Sequence, residues 1–277
     1  MAAERGVAEE PSRWRAEEGR GRPRSVQLFL LDGFRLVSGG APAELPRGLQ
    51  RIVALVGLRP GTSRSQLAGL LWPNMPEERA LSSLRTGLWR LRRQGCCPML
   101  ARNGTVRLAA GVGVDVDDLV RTAARIRDGG DPRWAEDVLA AGRHDLLPGW
   151  YDDWVLVERE RLRQLRLHAL EQIARAYLRS GQYGEALQAA LEAMRTEPLR
   201  ETPHRLIVQI HLAEGNAYEA LHAYYGYRHL ILRELQLEPS TELRALLEHL
   251  LPTGPQAPGP DRRHPDPIWA ARHVAPW

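Results

Sequence analysis

Residues 63–108 read SRSQLAGLLWPNMPEERALSSLRTGLWRLRRQGCCPMLARNGTVRL, and they decide the fold. Ser63 followed three residues later by Gln66 is a capping box, in which each side chain takes up an orphan amide at a helix start. The helix so opened holds Leu67, Leu70 and Leu71. After the turn Trp72–Pro76, the proline suits a first helical turn, and Glu77 and Glu78 favour the positive end of the next helix dipole. That helix is expected to run to Gln94, with Ala80, Leu84, Leu88 and Leu91 on one buried stripe. Asn103-Gly104 then centres a two-residue hairpin over 99–109, because both turn positions need positive φ. Two helices and a hairpin make the core of a winged helix-turn-helix.

Charge is one-sided in this stretch. Arg79, Arg85, Arg90, Arg92, Arg93, Arg102 and Arg107 fall in a span without a single Asp or Glu. The face opposite the buried stripe carries Arg79, Ser82, Thr86, Trp89 and Arg93, flanked by Arg85 and Arg92 on one side and Ser83 and Arg90 on the other. Guanidinium groups neutralise phosphates, and short hydroxyl side chains approach base edges. Double-stranded DNA is therefore the expected partner. The candidate contacts are Arg79, Ser82, Ser83, Arg85, Thr86, Arg90 and Arg93 on the helix, with Arg102, Asn103 and Arg107 on the hairpin. An outward Trp89 either presses on thymine methyls or sugars or packs beneath the hairpin or the second domain, and packing is the expectation.

Working outward, Val26–Leu31 and Phe34–Val37 flank Asp32-Gly33, a hairpin signal of type I′, so a small antiparallel sheet opens the domain. A helix carrying Leu49, Ile52, Val53 and Val56 follows and stops in the Gly57–Gly61 region. Beyond Asp117 the pattern is helical and repeats. Ile173, Leu178, Gly181, Ala186 and Leu187 recur 34 residues later as Ile207, Leu212, Gly215, Ala220 and Leu221, the tetratricopeptide period. Pro198 has no counterpart at that spacing, and a longer last helix over 217–235 accounts for the offset. The segment DLLPGWYDDW, 145–154, reads as an anchor packing the linker onto the helical domain. Asp115, Asp117 and Asp118 read as helix-capping acids rather than paired catalytic carboxylates.

The fold class expected is mainly α with a small β component: an N-terminal winged helix-turn-helix followed by an α-helical repeat domain. The boundaries drawn are 1–24 and 252–277 as disordered tails, 25–114 for the winged helix and 115–251 for the helical domain.

The full composition narrows function. All 38 basic residues are arginine, so no lysine is present to form a Schiff base or complete a phosphate-binding loop. Cys96 and Cys97 are adjacent and poorly placed to pair with each other. No apolar run is long enough to span a bilayer, and the protein is expected to be cytoplasmic. His204 and His211 are seven apart, as are His222 and His229, but no acid or cysteine cluster completes a metal shell, and no metal or cofactor is expected. No nucleophile, base and orienting group assemble into an enzyme site.

Over Val26–Leu251 the chain resembles the Streptomyces antibiotic regulatory protein family, which joins an OmpR-type winged helix to a bacterial transcriptional activation domain. The resemblance is carried by LAGLLWP, ALSSLRTGLWRLRRQ, LLPGWYDDWVLVERERL and YRHLILRELQLEPSTELRALLEHL. It implies an activator that binds promoter direct repeats side by side, as a dimer on DNA, and recruits RNA polymerase through its sigma factor and other subunits. By position, Arg79–Arg93 correspond to the recognition helix and Arg102–Arg107 to the wing. Trp72, Pro73, Asn74, Met75 and Pro76 correspond to the loop that faces polymerase, although on spacing alone they read as a surface turn. Leu81 and Ser82 stand where family members often have arginine or asparagine, so the operator is not transferable. The ATPase domain of larger members is not found, and regulation by nucleotide is not expected. Two competitors remain open: a protein-interaction adaptor working through its repeat domain, and a regulator taking a small ligand near Trp150 and Trp154.

Overall fold

The computed structural model describes residues 26–96, 99–102, 104–127 and 145–250. The expectations made for 1–24, for 252–277 and for Asn103 fall outside these residues, as does the Arg102 side chain. Two compact units are formed, one from residues up to Arg125 together with a segment ending at Leu162, the other mainly from Arg163 onward.

The first unit begins with strands β1 (Val26–Phe29), β2 (Arg35–Ser38) and β3 (Ala41–Pro42), followed by helix α1 (Arg47–Leu58). A short strand β4 (Thr62–Ser63) leads into α2 (Arg64–Leu71) and α3 (Glu77–Gln94). The hairpin β5 (Met99–Arg102) and β6 (Thr105–Leu108), strand β7 (Val112–Val114) and helix α4 (Asp115–Arg127) complete this run. One sheet has the order β3-β2-β1-β7, with β7 parallel to β1; the other has the order β4-β6-β5. Neither the parallel β7 nor β4 was legible in the sequence, since strands of two or three residues carry no periodicity.

The Asp32-Gly33 turn does take positive φ at both residues, 62° and 119°. The pairing of Phe29 with Arg35 nevertheless leaves five residues in the loop. The reason is that Leu30 and Leu31 leave the hairpin for other partners. Their N–H groups donate to the Asp115 carboxylate at 2.9–3.1 Å, and the Leu30 carbonyl accepts from Leu147 N–H at 2.8 Å. Asp115 also accepts from Val116 N–H at 2.8 Å, so it caps α4 and clasps the exit of β1 at once. Burial pushes its carboxyl up to about 6, against the lowering effect of these backbone donors.

The 145–154 segment packs on the first unit and not, as expected, on the helical repeats. Leu146, Leu147, Trp150 and Trp154 are buried. Trp150 stacks on Phe34 with ring centroids 6.3 Å apart, and the Arg47 guanidinium lies 4.1 Å from its ring centroid. Arg51 pairs with Asp152, and buried Glu158 lies between Arg59 and Arg161, each at 2.7 Å. The aromatic residues find a ready-made apolar surface beside α1, which sequence periodicity does not reveal.

Helix α5 (Asp153–Arg179) contributes its beginning to the first unit and the rest to the second. The second unit continues with α6 (Tyr183–Thr196), α7 (Glu201–Glu214), α8 (Ala217–Leu235) and α9 (Thr241–Ala245). The α8 bounds match the long last helix expected. Gly181 and Gly215 both adopt positive φ, 73° and 85°, where helices α5 and α7 end, so the 34-residue period has a backbone cause. Arg166–Glu192 at 2.7 Å and Arg200–Glu171 at 2.6 Å tie the helices together. His204 is a core residue. It stacks on Tyr227 at 4.2 Å, its Nε2 lies 2.8 Å from the Pro198 carbonyl, and burial lowers it to about 4.

Candidate nucleic-acid interface

The capping box forms as the sequence predicts: Ser63 Oγ accepts from Gln66 N–H at 3.2 Å, and Gln66 Oε1 accepts from Ser63 N–H. It fixes where α2 begins and, through β4, ties that start to the hairpin. Thr62 and Ser63 pair with Val106 and Thr105, and Arg64 N–H donates to the Gly104 carbonyl at 3.0 Å. The first turn of α2 and the hairpin tip are thereby held together beside α3. Arg102 pairs with Thr105, so the hairpin closes over two residues, and Gly104 has φ 75°.

Helix α3 buries Ala80, Leu84, Gly87 and Leu91. Leu88, expected on this stripe, is only half-buried, and Gly87 takes the close contact in its place. A Cβ added at Gly87 would lie 2.3 Å from Ile52 Cδ1, so glycine is what lets α3 press on α1. Gly87→Ala is expected to destabilise the first unit by about 1 kcal/mol net, overpacking against Ile52 outweighing the helix-propensity gain of alanine, read as a lower urea midpoint with an unchanged slope.

On the outward side, Arg79, Ser82, Arg85, Thr86, Arg90 and Arg93 are all exposed, together with Arg92, and Arg107 is exposed on β6. Ser83 is half-buried, and its hydroxyl is directed to Met75 Sδ at 3.9 Å. The Thr86 hydroxyl donates to the Ser82 carbonyl at 3.0 Å, which commits its proton and leaves its lone pairs as acceptors. Trp89 is 57% exposed and is not covered as expected. It lies opposite the buried stripe, and the Arg93 guanidinium, 4.9 Å from its ring centroid, shields one face.

Two clefts flank α3. One, of about 630 Å³, runs between α3 and the start of α2 and is lined by Arg64, Glu78, Arg79, Ser82 and Arg85 among others. The other, of about 700 Å³, lies on the α1 side and includes Gly48, Trp72, Thr86, Arg90 and Arg93. Arg64 was missed by the sequence reading; its position directly after the capping Ser63 is the signal that would have found it. The turn carrying Trp72, Pro73, Asn74, Met75 and Pro76 is closed by Met75 N–H donating to the Trp72 carbonyl at 3.1 Å, and all but Trp72 are exposed.

Charge pairing on this face differs from that of the ion-paired arginines of the second unit. Among the described residues, Arg64, Arg79, Arg85, Arg90, Arg92, Arg93 and Arg107 form no ion pair, whereas in the second unit Arg163, Arg166, Arg200, Arg205 and Arg228 are each matched by a carboxylate. Also among the described residues, no helix is long and apolar enough to cross a membrane, and no three His, Cys, Asp or Glu side chains gather into a metal-binding group.

Comparison with known proteins places the chain in context. The sequence model of the bacterial transcriptional activator domain matches residues 109–251. Regulatory protein AfsR of Streptomyces coelicolor is 28% identical over 236 residues, covering 81% of this chain and 23% of AfsR. The protein of the same name from Streptomyces griseus is also 28% identical, covering 79% of this chain and 23% of its own length. This chain thus spans about a quarter of the length of these curated relatives. The solved structure of Mycobacterium tuberculosis EmbR in complex with a low-affinity phosphopeptide superposes with a TM-score of 0.66 over 82% of this chain and 65% of that one. At 17% identity that likeness speaks to the fold: a winged helix and a helical domain.

Proposed function

The chain belongs to the bacterial transcriptional activator domain family, as a regulator of the Streptomyces antibiotic regulatory protein type, and from that premise we propose that it is a sequence-specific DNA-binding transcriptional activator. Its relatives are regulatory proteins. The observation that carries the finer reading is the uncompensated arginine face of α3. A solvated surface helix gains from neighbouring acids, and Arg163, Arg166, Arg200, Arg205 and Arg228 of the second unit each have one. Helix α3 instead leaves its guanidinium groups exposed and unpaired, the arrangement that phosphate contact requires.

In this reading Arg79, Arg85, Arg90 and Arg93, with Arg102 and Arg107 on the wing, hold the DNA backbone, and Ser82, Ser83 and Thr86 approach base edges. Asn103, named from the sequence, is assigned a contact with the same DNA. Ser82 keeps both donor and acceptor capacity, whereas Thr86 reads as an acceptor, suited to the amino groups of cytosine or adenine. Trp89 is free to press on a thymine methyl or a sugar. Arg64 adds a further phosphate contact from α2. Two copies bind promoter direct repeats side by side, and the Trp72–Pro76 turn meets RNA polymerase and its sigma factor. The place of action is the cytoplasm, at the nucleoid. The regulated genes are of the secondary-metabolite kind.

The test is selection from random duplex DNA at physiological salt, with the intact protein and an Arg85→Ala, Arg93→Ala variant in parallel. The intact protein is expected to enrich a repeated motif. The variant is expected to bind that motif at least about tenfold more weakly, with the slope of log affinity against log salt reduced by roughly two. Failure of the intact protein to enrich any motif overturns the reading and brings the interaction adaptor forward. Ser82→Ala and Thr86→Ala are expected to shift the preferred bases and leave the salt slope unchanged.

A further inference from the structure

Helix α8 is apolar on its inner side and carries a row of ring side chains on its outer side. Its inner face, Ala220, Tyr224, Tyr227 and Ile231, packs with Val208, Leu243 and Leu247 in the core of the second unit. Its outer face carries Tyr218, His222, Tyr225 and His229, all exposed, with Tyr218 72% and Tyr225 40% accessible. The Tyr218 and His222 rings stack at 6.3 Å. These four residues are spaced by four, three and four, and Leu232 continues the row by three. That alternation has the seam spacing of a coiled coil over about two heptads, and no acidic residue or arginine interrupts it.

The flank of the seam indicates what covers it. Glu219, Gly226 and Arg233 recur every seven residues along one side of the outer face. In an antiparallel pair of identical helices, each flank meets its own copy about the two-fold axis. Glu219 and Arg233 lie seven residues to either side of Gly226. An axis at Gly226 sets Glu219 against Arg233 of the partner subunit, twice, about 10 Å from the axis. In a parallel pair this flank would face the opposite flank of the partner helix, and Glu219 and Arg233 would not meet. Gly226 at the crossing point lets the backbones approach. Among the described residues, Arg233 forms its ion pair with its neighbour Glu234, at 2.8 Å, in an exposed pair that is readily exchanged.

We propose that α8 pairs with the same helix of a second copy of this chain, forming an antiparallel two-fold dimer through its aromatic outer face. This pairing does not rest on the DNA-binding reading. A two-fold pair and a direct repeat differ in symmetry, so the dimer is assigned to the DNA-free protein.

Sedimentation equilibrium of the full chain without DNA tests it. The wild type is expected to dimerise at micromolar concentration. Glu219→Arg alone and Arg233→Glu alone should each weaken association at least about tenfold by placing two like-charge pairs across the axis. An equimolar mixture of the two single variants restores opposite charges at both positions and should recover the dimer, as should the double charge swap. Tyr218→Ser with Tyr225→Ser should give a monomer with unchanged helix content. A wild type that stays monomeric to about 100 µM overturns the proposal. So do single reversals without effect, or a mixture that associates no better than its components.

Discussion

Trp150→Ala is expected to cost the first unit about 3–5 kcal/mol, a large share of the stability of an ordinary domain. The indole is 3% exposed, lies against Phe34, and is covered by the Arg47 guanidinium. Its removal opens a cavity whose lining cannot collapse, because Phe34 follows a turn with two positive-φ residues and Arg47 begins α1. Denaturant unfolding reads the loss. Hydrogen exchange should show residues 145–162 losing protection first, since their backbone ties to the sheet, Leu147 N–H to the Leu30 carbonyl and Asp32 N–H to the Asp145 carbonyl, are few. Trp150→Phe should lose markedly less. Equal losses for the two variants would show that the pocket does not depend on the size of its occupant.

The two units are expected to respond to acid in opposite directions. His204 titrates at about 4 when folded and near 6.5 when free, chiefly because burial penalises its charged form. The unfolded chain therefore binds the extra proton between these values, and the second unit loses up to about 3 kcal/mol as pH falls from 6.5 to 4. Asp115 behaves the other way. Its folded value of about 6 exceeds the free value of 3.8, so the folded state binds the proton, and the stability it contributes is complete below pH 3.8 and lost as pH rises through 6. The first unit gains up to about 3 kcal/mol over the same acidification from this group. Exchange protection compared at pH 7 and pH 5 separates the units, and His204→Gln and Asp115→Asn should each flatten the response of their own unit. Parallel responses in both units of the wild type would contradict the assignment.

What the sequence made legible was local. The capping box at Ser63, the α3 bounds, the two-residue wing turn and the 34-residue glycine period all depend on neighbours within one or two turns of chain. What it hid was long-range. Asp115 reaches back 85 residues to Leu30, Leu147 pairs with the same strand exit, and the 145–154 anchor chose the sheet over the repeats. Trp89 was expected to be covered because an isolated exposed indole is unusual, but the neighbouring arginine supplies partial cover that hydrophobic patterning does not register. On the candidate interface, every α3 position named from the sequence proved exposed or half-exposed, while Arg64 was missed because it belongs to a different helix.

The first unit is discontinuous along the chain, and the consequence falls on its synthesis. A ribosome that has delivered the wing has not delivered the cover for Phe34 and the β1 exit; those arrive only with residues 145–162. Until then the nascent fold presents an open apolar seat beside α1, with Arg51 and Arg59 awaiting Asp152 and Glu158. Long-range closure of this kind is slow and leaves sticky surface exposed. A fragment ended after Val114 keeps that seat empty permanently, and it also loses the carboxylate of Asp115. Dissection of the winged unit therefore needs the chain through Leu162, and the beginning of α5 belongs to the winged unit as much as to the repeats.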